Sequence, residues 1–137
     1  MPSLTPAEAR ARFGSGRVAR LATVSAAGQP HVVPITFVIA GDAVYSAVDH
    51  KPKRTTALRR LANIYANPAV ALIVDHYEDD WEQLWWARAD GLARVLPPGS
   101  SPAISLLAAR YEQYRDRPPA GPVIAVDVRR WSGWTSS

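Results

Sequence analysis

The chain has 137 residues, no cysteine and a formal net charge of +4. That length fits one domain, residues 1–137, and the missing cysteine excludes disulfides, thiolate catalysis and cysteine-ligated metals. Residues 1–13 carry charge without an apolar core, and no apolar run nears the roughly 20 residues that span a bilayer, so neither a signal peptide nor a membrane segment is expected and a cytoplasmic location is.

Thr5-Pro6-Ala7-Glu8 reads as a helix start, with Thr5 as N-cap, Pro6 in the first turn and Glu8 completing a capping box. The helix is expected to stop near Gly14–Gly16. Residues 18–25 (VARLATVS), 30–40 (PHVVPITFVIA) and 43–48 read as three strands joined by short turns, an antiparallel meander. Pro34 cannot donate to a ladder, which puts its strand at an edge, at a bulge or beside a ligand. Residues 49–54 (DHKPKR) form a polar connection. A helix follows over 55–66, with Leu58, Leu61, Ala62 and Tyr65 as its apolar stripe. Residues 69–75 form a near-continuous apolar strand that implies burial on both faces. After an acidic loop at 78–82 come a long strand over 84–96, a helix over 102–115 and a last strand over 123–128, with Arg129 onward as a tail. About six strands with helices at the connections make a mainly β, closed or nearly closed antiparallel barrel.

The chemistry concentrates at His50-Lys51-Pro52-Lys53-Arg54-Thr55. Lys51 and Lys53 are the only lysines in the chain, and Arg54 stands beside them at a helix start. Unpaired backbone N–H groups and the helix dipole favour an anion there, and the cationic side chains add charge-assisted hydrogen bonds. A solvated basic turn is the alternative. Five tryptophans, all in the second half, cover a core, an interface or a ligand. His31, His50 and His76 lie on different elements, and no metal-ligand spacing or acid–base pair emerges. His50 adjoins the basic turn and is a candidate proton donor. The basic residues do not line one face and lack interleaved aromatics, so nucleic acid is not the expected partner.

The run from LATVSAAGQPHVVPI through the KPKR turn to NPAVALIVD and the strand after it resembles the flavin/deazaflavin oxidoreductase superfamily. It is closest in pattern to actinobacterial pyridoxine 5′-phosphate oxidase-like, coenzyme F420-dependent oxidoreductases. The resemblance implies a split β-barrel homodimer with two cofactor sites at the subunit interface and a small-molecule substrate. Pro34, Ile35 and Thr36 would line the tricyclic ring, with Ser46 and Ala47 near it. His50 would adjoin the site, and Lys51, Lys53, Arg54 and Thr55 would hold the phosphate and acidic tail. Trp131 and Trp134 would reach the site, from this chain or its partner. The cofactor implied is F420, whose long anionic tail suits the cationic turn. FMN in an oxidase or reductase, or a non-catalytic cofactor- or haem-binding role, are the alternatives.

Overall fold

The computed structural model describes residues 3–48 and 54–137, and of residues 54–58 the backbone alone. Its elements are α1 (Pro6–Ser15), β1 (Ala19–Val24), β2 (Pro30–Ile35), β3 (Val38–Ala40), β4 (Ala43–Ala47), α2 (Arg54–Ala66), β5 (Ala69–His76), β6 (Trp85–Leu96), α3 (Ala103–Arg110), α4 (Glu112–Asp116) and β7 (Val123–Thr135). The capping box forms at α1. Glu8 N–H donates to Thr5 Oγ1 at 3.2 Å, and Thr5 N–H donates to Glu8 Oε1 at 2.8 Å. These bonds, with a smaller contribution from the Arg12 charge, hold the Glu8 carboxyl below its ordinary pKa.

Seven antiparallel strands form one sheet in the order β2-β1-β5-β6-β7-β4-β3. The expected strand over 30–40 is in fact two. β2 pairs β1, β3 pairs β4, and Thr36-Phe37 carries the chain between them around a corner. The sheet therefore begins and ends on strands only two residues apart in sequence, and no ladder joins those edges among the described residues. The result is a split barrel. Pro34 lies on β2, an edge strand, opposite Arg20 of β1, where its missing N–H removes no second ladder bond.

The tail beyond residue 128 is strand, not coil. β7 continues to Thr135 and pairs β6 along its length, with Trp134 opposite Trp86 and Trp131 opposite Ala89. A twelve-residue β6 needs a partner for its backbone groups throughout, and the tail supplies it. The ladder shifts register at Asp90/Gly91. A Cβ at Gly91 would stand 2.2 Å from the Asp127 carbonyl oxygen, so only glycine fits this bulge.

The sheet wraps a core that includes Phe13, Leu21, Phe37, Leu72, Val126 and Ile124, with Trp131 packed against it. Phe13 meets Phe37 and Trp131 edge-on, with ring centroids 4.9 and 5.2 Å apart. Each such buried ring stabilises the fold by roughly 1.5–3 kcal/mol. On β5, Val70, Leu72 and Val74 are buried while Ala71 and Ile73 are only half-buried. In this chain the strand therefore has one buried face, not two. A smaller cluster of Ala47, Ala103, Leu107, Tyr111 and Val123 seats α3 against β4.

The helix expected over 102–115 breaks at Tyr111, whose backbone is extended (φ −116°, ψ 117°). This drops the Tyr111 ring onto the corner. Its hydroxyl accepts from Phe37 N–H at 3.1 Å and shares its proton between the carbonyls of Phe37 and Arg17, each at 2.9 Å. Phe37 is outside both ladders, so Tyr111 satisfies the backbone polar groups that the corner leaves without strand partners. Arg110 lies over the Phe37 ring, 4.6 Å from its centroid, and donates to the carbonyls of Gly14 and Gly16. The α3–α4 arm is thereby fastened to the place where the sheet turns.

Candidate functional site

A cleft of about 210 Å³ opens at that corner, lined by Pro34, Ile35, Thr36, Ser46, Ala47, Arg60 and Tyr114. Strand geometry explains its position. The β3–β4 ladder ends at Val38 opposite Tyr45. Beyond it the chain leaves for β2, so Ser46 and Ala47 keep a strand partner only on their other side, where they face Ile124 and Val123 of β7. The gap between the diverging strands is floored by buried Ile35, Ser46 and Ala47 and edged by the exposed Pro34 ring. All five ring-lining residues expected from the sequence, Pro34, Ile35, Thr36, Ser46 and Ala47, come together here.

Two further residues complete the walls. Arg60 projects from α2, and its Nε is buried with no hydrogen-bond partner among the described residues. Burial lowers the guanidinium pKa by taking solvent from the charged form. No carboxylate lines the cleft among the described residues. A ligand anion would supply what Arg60 lacks. Tyr114 projects from α4, with its hydroxyl 2.7 Å from Thr36 Oγ1.

The expected stripe on α2 is corrected at the same point. Tyr65 is 73% exposed, while Ile64 and Asn63 are buried at 3% and 4%. Of the expected stripe Leu61 does pack against the core, but the inward face runs 60-61-63-64, because the helix also covers a polar cleft and a polar pair: Asn63 Nδ2 donates to buried Thr23 Oγ1 at 3.0 Å. Apolar periodicity alone could not locate that face. The helix opens at Arg54 rather than Thr55. The side chains of Arg54 and Thr55, and all of His50, Lys51 and Lys53, lie outside the described residues.

Trp131 and Trp134 are not among the residues lining this cleft. Trp131 lies seven residues along β7 from Ile124, about 20 Å at strand rise, and packs inward on Phe13. Trp134 stands across from Trp86 on the other face. His31 is on β2 and His76 at the end of β5, and neither lines the cleft. Among the described residues no group of three His, Asp or Glu side chains is placed to hold a metal, and no helix is long and apolar enough to cross a membrane.

An open antiparallel sheet with a cleft at its split corner defines a split β-barrel protein. The pyridoxamine 5′-phosphate oxidase family matches residues 5–135, and the chain belongs to that family. Among solved structures it is similar to an FAD-binding protein from Mesorhizobium loti (22% identity, 96% of this chain and 95% of that one, TM-score 0.72). It is also similar to the FAD-binding protein from Mycobacterium smegmatis (19% identity, 98% and 97%, TM-score 0.66). A third similar structure is HutZ, the haem storage protein from Vibrio cholerae (18% identity, 92% and 91%, TM-score 0.70). No curated protein matches the sequence.

Proposed function

We propose that the cleft binds the ring of coenzyme F420 and that the chain is an F420-dependent oxidoreductase acting as a homodimer on a small organic substrate. The observation that carries this reading is the buried Arg60 Nε, without a hydrogen-bond partner among the described residues, in the wall of a cleft otherwise lined by Pro34, Ile35, Thr36, Ser46, Ala47 and Tyr114. A planar ring with an anionic tail meets both needs. Pro34 presents a ring face and no N–H, and Ile35 contributes an apolar floor. Arg60 pairs with the anionic portion, and Lys51 and Lys53, just before α2 in sequence, with Arg54, its first residue, extend the positive charge for a longer tail. A bound deazaflavin supplies hydride donation and acceptance at a ring carbon. The protein fixes the ring, leaves one face to the substrate and keeps water from the walls.

The homodimer is supported by the outer face of the sheet. Half-buried Ala71 and Ile73 lie there with the Trp86–Trp134 pair and Val32, which is 61% exposed. The Arg20–Asp75 and Arg88–Asp90 ion pairs share that face, a mixed apolar and charged surface of the kind that two copies can bury between them. A second copy laid on it would bring Trp134 within range of the partner's site, the role expected for it from the sequence.

Titration of the intrinsic tryptophan fluorescence with F420, FMN and haem tests the cofactor, and light scattering tests the dimer. Tightest binding of F420 by a species twice the 14.9 kDa chain mass is expected. Tighter FMN binding would replace the cofactor and keep the site. A haem preference with no turnover of reduced cofactor would make the protein a haem carrier instead.

A further inference from the structure

Arg60 enters the cleft from α2, whereas the floor of the cleft belongs to β2 and β4. How far the guanidinium stands from that floor depends on how α2 sits on the sheet. Two kinds of contact seat the helix. Leu61 and buried Ile64 join the main apolar core. Apolar burial has no direction of its own, so it resists lifting the helix more than rolling or sliding it. The second contact is directional. Asn63 Nδ2 donates to Thr23 Oγ1 at 3.0 Å, and both residues are buried. Among the described residues it is the one hydrogen bond from an α2 side chain to the sheet. Thr23 lies on β1 opposite His31 of β2, the strand that carries Pro34 and Ile35 to the cleft. Asn63 follows Arg60 by three residues, about 4.5 Å along the helix and on the same side of it. A roll or slide of α2 would leave two buried polar groups unpaired, which is costly.

We propose that Asn63 is a positioning residue: its buried bond to Thr23 fixes the seat of α2 on β1 and thereby holds the Arg60 guanidinium in the cleft wall, where it meets the anionic group of a ligand. The assignment rests on the reading of Arg60 as the partner of that anion. It adds how the arginine is placed without being neutralised. A carboxylate clamped onto Arg60 would also fix it, but would meet the charge that the ligand has to meet. A neutral amide–hydroxyl pair one turn along the helix fixes the same side chain from behind and leaves its charge to the ligand.

The full-length chain and its Asn63→Leu, Asn63→Leu/Thr23→Val, Thr23→Ser, Arg60→Ala and Arg60→Ala/Asn63→Leu variants are titrated with F420, with FMN and with riboflavin, which is the FMN ring and chain without the phosphate. Urea unfolding is followed in parallel. Asn63→Leu should weaken F420 and FMN about tenfold. The Asn63→Leu/Thr23→Val variant removes both polar partners together, so it should recover parental stability and still bind the two anionic cofactors as weakly as Asn63→Leu. Thr23→Ser keeps the hydroxyl and should keep parental affinity. Riboflavin should bind parent and variants alike. In the Arg60→Ala background, Asn63→Leu should cost no further affinity, because the residue it acts through is gone. Parental affinity in a folded Asn63→Leu/Thr23→Val variant, an undiminished loss in the Arg60→Ala background, or equal weakening of riboflavin would overturn the assignment while leaving Arg60 as the anion's partner. Parental affinity in Arg60→Ala would overturn both.

Discussion

Cations stand near the two ends of β7 under opposite conditions. At the far end, Arg88 pairs with Asp90 at 2.9 Å and lies 5.8 Å over Trp86, Arg12 lies 5.5 Å over Trp85, and His76 is bonded to Glu78. Of these, Arg12, His76 and Trp85 border a depression of about 360 Å³ together with Gln83, Thr135 and Ser137. Its charges are met within the chain or left in solvent. At the near end, Arg60 is half-buried, and its buried Nε has no hydrogen-bond partner among the described residues. Cavity size therefore does not identify the site, since the larger hollow is the satisfied one. An unmet buried charge is the more informative feature, because a folded chain carries that cost only where something outside it removes the cost.

The comparison breaks most visibly at Trp131. As part of the packing beneath the satisfied end it is structural, so Trp131→Ala should lower unfolding free energy by roughly 3–5 kcal/mol, measured by urea denaturation. A loss of cofactor affinity in a chain as stable as the parent would move Trp131 into the site. Next in size, Arg60→Ala should weaken F420 or FMN by roughly 1.5–3 kcal/mol, about 10- to 150-fold. The same change should leave the melting temperature unchanged or raised, because it removes a cation without a counter-charge. Arg88→Ala is its counterpart and should change stability by less than about 1 kcal/mol, as partly exposed ion pairs do. A clear loss of stability in Arg60→Ala would show that its charge is already satisfied within the chain.

The smallest effect concerns α1, which packs against both β6 and β7. The folded-state pKa of Glu8 is depressed below its ordinary value of 4.5, so its contribution is present above that value and fades as pH falls through the folded value. Thermal melts of Glu8→Gln and the parent should therefore differ at neutral pH and converge in acid. A constant gap would assign the difference to packing.

Much of this was legible in advance, for reasons that differ by element. TPAE announces its helix because cap chemistry is local. Pro34 announces an edge because it lacks a donor. The cleft residues Pro34, Ile35, Thr36, Ser46 and Ala47 were found through family likeness, not through periodicity. The break at Thr36-Phe37 was hidden because PHVVPITFVIA favours strand throughout, and what interrupts it is Tyr111, more than 70 residues away. The last half of β7 was hidden because Arg129, Arg130 and two tryptophans read as a tail until the length of β6 is known. Arg60 carries little signal of its own in the sequence, since an arginine on a helix is ordinarily solvated. Its signal was the spacing to Ile64, one turn away on the same face. Tyr114 carried no sequence signal beyond its place three residues after Tyr111.

The corner at Thr36-Phe37 also bears on the order of assembly. The β1–β2, β3–β4 and β5–β6 pairings are hairpins between strands consecutive along the chain, whereas β4 must find β7 across some 80 residues. Local pairings form early and distant ones late. The cleft draws on β2, β4, α2 and α4, so it exists only once the most distant of these pairings has closed. Occupancy of the cleft thus reports completed closure, and a ligand that binds there stabilises the last step of folding along with the native state as a whole.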